Sequence, residues 1–254
     1  MSHPNNKVSS SSVDNQEIEL IVGNSSSNFS GVTSTMLQVT SLQKHMINLR
    51  IMGKHFVPDP SMTITFWEVA KMCRRPLSNG KWRIFHARRV DEMIQGVILK
   101  YVFRAKIKLV FSSAAQRKRS ASTVWLSNKM DAVIAMSNRS AKYLNKPPAK
   151  INLHGVQIDN YTPAENKQEA WQALGYGGKY GIGILGRVRE QKGVHLFVEA
   201  CIKVLPKYPD VNAVVVGAIS SSNQEFVNEL KEKVSRAGLT DRIVFTGELP
   251  FEQI

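Results

Sequence analysis

The chain has 254 residues, with 43% apolar and 21% charged side chains and a formal net charge of +14, a balance that excludes wholesale disorder and collagenous or low-complexity classes. Two cysteines, Cys73 and Cys201, both inside apolar patterns, exclude a disulfide scaffold and point to a reducing compartment. The longest apolar runs, such as residues 213–219, fall far short of the ~18 residues needed to cross a bilayer, and the polar start after Met1 carries no secretory signal.

Residues 1–16 read as a disordered tail. An apolar run at 19–22 predicts a strand ending in Gly23, residues 32–45 put Met36, Val39 and Leu42 on one helical face, and 48–52 is the next strand. Residues 65–75 fit a helix better than a strand. A strand at 82–85 reaches His86, an amphipathic helix covers 91–104, and 108–111 is a strand of the fully buried type. A loop and helix fill 112–130, followed by a strand at 132–136, a short helix to Leu144 and a strand at 150–153. Beyond that the pattern is more regular: strand 180–185, helix 194–205, strand 212–216, helix 224–237 and strand 242–245. Strand–helix alternation of this kind means parallel sheets covered by helices, an α/β fold.

The expected organisation is a first Rossmann-like domain at 17–160, a Gly- and Pro-bearing linker at 161–178, and a second domain at 179–254. The second holds about one mononucleotide-binding half of a doubly wound sheet, so it reads as incomplete and the chain as cut short.

Three turns could carry chemistry. Gly186, Arg187, Lys192 and Gly193 lie between a strand and a helix, where glycine permits a tight turn and a helix N-terminus with two cations suits a pyrophosphate. Solvated charges on an ordinary turn would look the same. The turn is neither a Walker loop nor a dinucleotide fingerprint. Ser30, Gly31, Val32 and Thr33 repeat the strand–loop–helix arrangement, and Ser30 and Thr33 are also ordinary capping residues. His154 follows the 150–153 strand and His86 the 82–85 strand; a lone histidine in such a place is more often structural than catalytic. Nothing has zinc-ligand spacing.

These pieces occur in a recognisable order. Residues 30–35 (SGVTST), 86–89 (HARR) with Glu92, 109–117 (LVFSSAAQR), 130–135 (MDAVIA), 153–156 (LHGV), 183–187 (GILGR), 191–193 (QKG) and 215–217 (VVG) together resemble the family 4 retaining glycosyltransferases of GT-B fold. Among these the text is most similar to bacterial lipopolysaccharide core mannosyltransferases. The resemblance implies two facing Rossmann-like domains and transfer of a sugar, mannose from GDP-mannose, to a lipid-linked saccharide with retention. It implies that Arg187 and Lys192 hold the donor diphosphate in place of a metal, and that Gly31 and Val32 face the donor. It places His86 near the transferred sugar, and gives Gly186, Gly193, Gly217 and residues 242–247 to the wall around the nucleotide. No metal or further cofactor is implied. Many relatives have histidine where this chain has Ser112 and Ser113, so that role does not carry over. The family's two-glutamate signature is expected beyond Ile254.

Charge is uneven. Residues 1–150 hold 23 Lys and Arg against 8 Asp and Glu, whereas residues 151–254 hold 11 against 12, so one end of the chain attracts polyanions. Arg88, Arg89, Arg117, Lys118 and Arg119, with the cation-rich stretch 100–108, are the candidates for contact with an anionic lipid-linked acceptor and the inner face of the cytoplasmic membrane. The rival is a non-catalytic basic module binding anionic lipid or a protein. Nucleic acid fits less well, because the aromatics form no stacking platform.

Overall fold

A computed structural model describes residues 17–155, 162–250 and 253; the tail expected at 1–16 lies outside them. The chain divides into two units, Met1–Ile158 and Asp159–Ile254.

The first unit is built on β1 (Leu20–Gly23), α1 (Gly31–Gln43), β2 (Leu49–Met52), β3 (Thr63–Ile64), α2 (Phe66–Met72), β4 (Arg83–Ala87), α3 (Val90–Val97), β5 (Ile107–Ser113), α4 (Ala121–Asn128), β6 (Ala132–Ala135), α5 (Asn138–Ala141) and β7 (Lys150–Ile151). Its seven strands are parallel in the order β3-β2-β1-β4-β5-β6-β7. Alternate residues of each strand feed opposite faces. Ile21, Phe85, Leu109 and Phe111 meet Val69, Met93 and Leu126 from α2, α3 and α4 on one face. Leu20, Val22, Leu49 and Ile51 meet Met36 of α1 on the other. Each such fully buried side chain contributes about 2 kcal/mol.

Local chemistry sets where the helices begin. Ser30 accepts from the Thr33 amide at the start of α1. Thr65 and Glu68 form a reciprocal capping box on α2, and the Thr65 hydroxyl and amide hold the Glu68 carboxyl below its usual range. The helix expected over 91–104 is α only to Val97; Ile98–Val102 continues as a π turn, closed by the Phe103 amide on the Ile98 carbonyl at 3.2 Å. Arg104 then adopts φ +55° and ends it.

The second unit holds α6 (Lys167–Ala173), β8 (Tyr180–Leu185), α7 (Val194–Val204), β9 (Val211–Val216), α8 (Gln224–Arg236) and β10 (Ile243–Gly247), with parallel strands ordered β10-β9-β8. Its core gathers Val194, Val198 and Cys201 of α7, Val227, Leu230 and Val234 of α8, and Ala213 and Val215 of β9. The sequence places a linker over 161–178, but α6 lies inside it. Asn166 caps that helix, its Trp171 ring lies against Gly181 of β8 so closely that a Cβ there would overlap it, and the indole N–H donates to the Gly177 carbonyl at 2.9 Å. A seven-residue helix is too short to show a periodic pattern. Edge strand β8 stays open, with Tyr180 and Leu185 more than half exposed.

Candidate active site

In the first sheet β1 and β4 are neighbours although β2 and β3 lie between them in the chain. Loops leaving the carboxyl ends of strands at such a switch point diverge and leave a crevice. A cavity of about 420 Å³ lies there, lined by Ser30, Gly31, Val32 and Thr35 at the start of α1, Arg88 after β4, Ser112 of β5 and Ala114 just after it, Met136 after β6, and His154 after β7. A Cβ on Gly31 would meet nothing within 4 Å, so the residue leaves room for a ligand.

His86 is the last residue but one of β4, and its Nε2 lies 2.7 Å from Ser112 Oγ on the neighbouring strand. Burial, and then the positive charge of Arg88, push the imidazole pKa down to about 4, so the ring is neutral at neutral pH. A neutral imidazole can accept or donate a hydrogen bond but carries no charge, and Ser112 rather than His86 is the member of the pair that lines the cavity. The position where the family's histidine was expected is therefore occupied by a hydroxyl that pairs with another histidine. Register alone brings them together: His86 faces Val110, two residues before Ser112.

The two arginines after β4 do different things. Arg89 is held by the carboxylate of Glu92, whose side chain is fully buried, through Nη1 at 3.1 Å, and by Ser30 and Thr33 through Nη2 at 3.0 and 2.8 Å. Glu92 also accepts the backbone N–H groups of Arg88 and Arg89 at 2.7 and 3.1 Å. This network ties the glycine turn of α1 to the start of α3, so Arg89, expected at the acceptor, is a strut. Arg88 lines the cavity, and its buried Nη1 has no hydrogen-bond partner among the described residues. Burial depresses its pKa; Glu92 opposes that shift and Arg89 adds to it. A guanidinium so placed can receive an anionic group.

In the second unit Gly186 (φ +133°) follows β8, and a short 3₁₀ turn, Glu190–Lys192, leads to Gly193 (φ +74°) and α7. No side chain caps α7. Arg187 and Lys192 are exposed on this loop, which the Val188 amide anchors to the Ala218 carbonyl at 3.0 Å. A Cβ on Gly217 (φ +151°) would lie 2.0 Å from the Gly186 carbonyl oxygen, so the two glycine turns stack backbone to backbone. The loop can cradle a diphosphate between the helix N-terminus and two cations.

Other candidates lie elsewhere. Arg242, at the start of the 242–247 wall, donates to the carbonyls of Leu205, Tyr208 and Val211, at the amino end of its sheet, so only the Gly247 end of that wall adjoins Gly217. Arg119 turns inward to Ser113 Oγ and stacks over Phe111 at 5.3 Å, leaving Arg117 and Lys118 exposed.

Residues 166–254 match the family model described as glycosyl transferases group 1. Over 239 residues the chain is 39% identical to the lipopolysaccharide core biosynthesis mannosyltransferase LpcC of Rhizobium leguminosarum bv. viciae, covering 93% of this chain and 67% of that protein. The chain belongs to the group 1 glycosyltransferases. The lipopolysaccharide core mannosyltransferase LpsB of Rhizobium meliloti is also 39% identical over 238 residues, again with 93% and 67% covered. The structure of Anabaena HepE with UDP and glucose matches at TM-score 0.66 and 19% identity over 93% of this chain and 71% of that one, which shows the GT-B fold. As a group 1 glycosyltransferase the chain falls among the hexosyltransferases, and these relatives do not favour the non-catalytic reading.

Proposed function

We propose that this glycosyltransferase moves mannose from GDP-mannose to an anionic, lipid-linked saccharide of the lipopolysaccharide core, with retention, at the inner face of the cytoplasmic membrane. The observation that carries the reading is the uncapped α7 behind the Gly186–Arg187–Lys192–Gly193 loop, in a chain 39% identical to two named core mannosyltransferases. The diphosphate sits on that loop, where Arg187 and Lys192 neutralise the charge that grows on the leaving group as the C1–O bond breaks. Gly217, packed on the Gly186 backbone, holds that loop against the wall that would receive the nucleoside. In the first unit Gly31 and Val32 wall the crevice at the carboxyl ends of the strands, neutral His86, held by Ser112, hydrogen-bonds a saccharide hydroxyl, and Arg88 takes an anionic group of the acceptor, with exposed Arg117 and Lys118 as further acceptor contacts.

Thermal denaturation with and without GDP, UDP and GDP-mannose tests the donor, since a ligand that binds only the folded state raises the melting temperature. GDP should stabilise the chain more than UDP, and Arg187→Ala should abolish the effect. Indifference to every nucleoside diphosphate would sink the reading. In a transfer assay with lipid-linked core precursor, Arg187→Ala should lower the rate about 100-fold, the usual cost of removing one charge-stabilising group.

A further inference from the structure

The helix that carries Glu92 inward carries an apolar stripe outward. Glu92, Met93 and Gly96 of α3 and Leu99 of the π turn are buried. On the opposite side Val90, Ile94, Ile98, Tyr101 and Val102 are 41%, 43%, 37%, 55% and 69% exposed, at steps of four, four and three to four residues. The π turn matters here, because it continues the stripe to Tyr101 and Val102 while Leu99 stays in the core. Asp91 is the one charge on the exposed side, and it lies at the amino end.

Aromatic rings and cations extend the stripe on both sides. Trp125 of α4 is 55% exposed and Trp67 of α2 is 68% exposed. Lys129 Nζ lies 5.4 Å from the Trp125 ring and 6.0 Å from the Tyr101 ring, and Lys100 Nζ 5.8 Å from Tyr101. Trp67 packs edge-on against Phe103 at 5.5 Å, next to exposed Arg104 and Lys71. Lys129 has no ion pair among the described residues. Half-exposed Trp and Tyr rings beside lysines, outside a row of aliphatic side chains, match the boundary between headgroups and acyl chains.

We propose that this face of α2, α3 and α4 lies on a bilayer surface rich in anionic lipid. The stripe and the two tryptophans enter the acyl boundary, and Lys71, Arg104 and Lys129 meet the headgroups. The unit's surplus of basic residues, 23 against 8 over residues 1–150, supplies the complementary charge. The geometry moves the contact away from part of the basic sequence that suggested it. Ala105 and Ile107 are buried, Lys106 and Lys108 stack on Trp82 at 5.6 and 5.1 Å, and Arg119 is turned inward. No helix among the described residues is long and apolar enough to cross a membrane. The inference rests on the reading that the acceptor is lipid-linked.

The test is co-sedimentation of the 254-residue chain with vesicles of phosphatidylcholine alone and with about one third phosphatidylglycerol, at low and high salt. The chain should pellet with the anionic vesicles and keep a salt-resistant fraction. Tyr101→Ser combined with Trp125→Ser should lower vesicle affinity about tenfold or more and remove that fraction; an unchanged melting temperature checks the fold. Lys129→Glu should weaken binding at low salt only. Brominated lipid should quench the wild type, and less so after Trp67→Phe with Trp125→Phe. Binding that is wholly salt-reversible and equal in the double variant would overturn the proposal. So would absence of vesicle binding, or a dimer in solution that the double variant dissociates, which would give the face to a second copy. The assay contains no nucleotide sugar, so failure of mannosyl transfer and failure of docking are read separately.

Discussion

Two glycine turns lead into helices in this protein, one in each unit, and they are finished differently. At α1 the Ser30 side chain accepts from Thr33 N–H, and Arg89 and Glu92 lock the turn from behind. At α7 the cap is Gly193 in a left-handed conformation with no side-chain acceptor. The amino end of α1 is partly satisfied by its own protein and forms a braced wall; that of α7 has no side-chain acceptor. A glycine before a helix is thus not one kind of site. Which kind it is depends on whether the surrounding structure has already answered the helix.

The sharpest way to break the comparison is Gly217→Ala. A Cβ would meet the Gly186 carbonyl at 2.0 Å at φ +151°, so we expect a loss of about 4 kcal/mol or more in the second unit, seen in chemical denaturation, with the first unit unaffected. Next is Glu92→Gln, which leaves the Arg89 guanidinium without its buried counter-charge and should cost about 3 kcal/mol while loosening the α1 turn. Retention of wild-type stability would show that the brace is ornamental.

His86 gives a pH signature to the first unit alone. Its folded pKa of about 4 lies below the ordinary 6.5, so the unfolded chain binds more protons between those values. Stability should therefore be full above pH 6.5 and fall as pH drops toward 4, by up to about 3 kcal/mol. His86→Asn should flatten that part of the profile in urea titrations at stepped pH. The smallest effects concern the caps. Ser30→Ala should cost about 1 kcal/mol, and Gly193→Ala a similar amount through backbone strain. Only the second should also weaken nucleotide binding.

The sequence by itself determined the strand–helix alternation, the parallel character of the sheets and nearly every element of the second unit, because buried strands and amphipathic helices announce themselves through apolar periodicity. It also determined the family, through an ordered set of short motifs running from residues 30–35 to 215–217 rather than through any single turn. Tertiary structure decided what depends on neighbours distant in the chain. It showed that α6 occupies the supposed linker, because Trp171 needs the bare backbone of Gly181 to pack on. It separated Arg88 from Arg89, adjacent and identical in type, by burying one against a cavity and giving the other to Glu92. It paired His86 with Ser112 across a strand register that no local pattern encodes. And it turned a basic stretch partly inward while leaving an apolar helix face outside, because side-chain direction follows from how a helix is seated on its sheet.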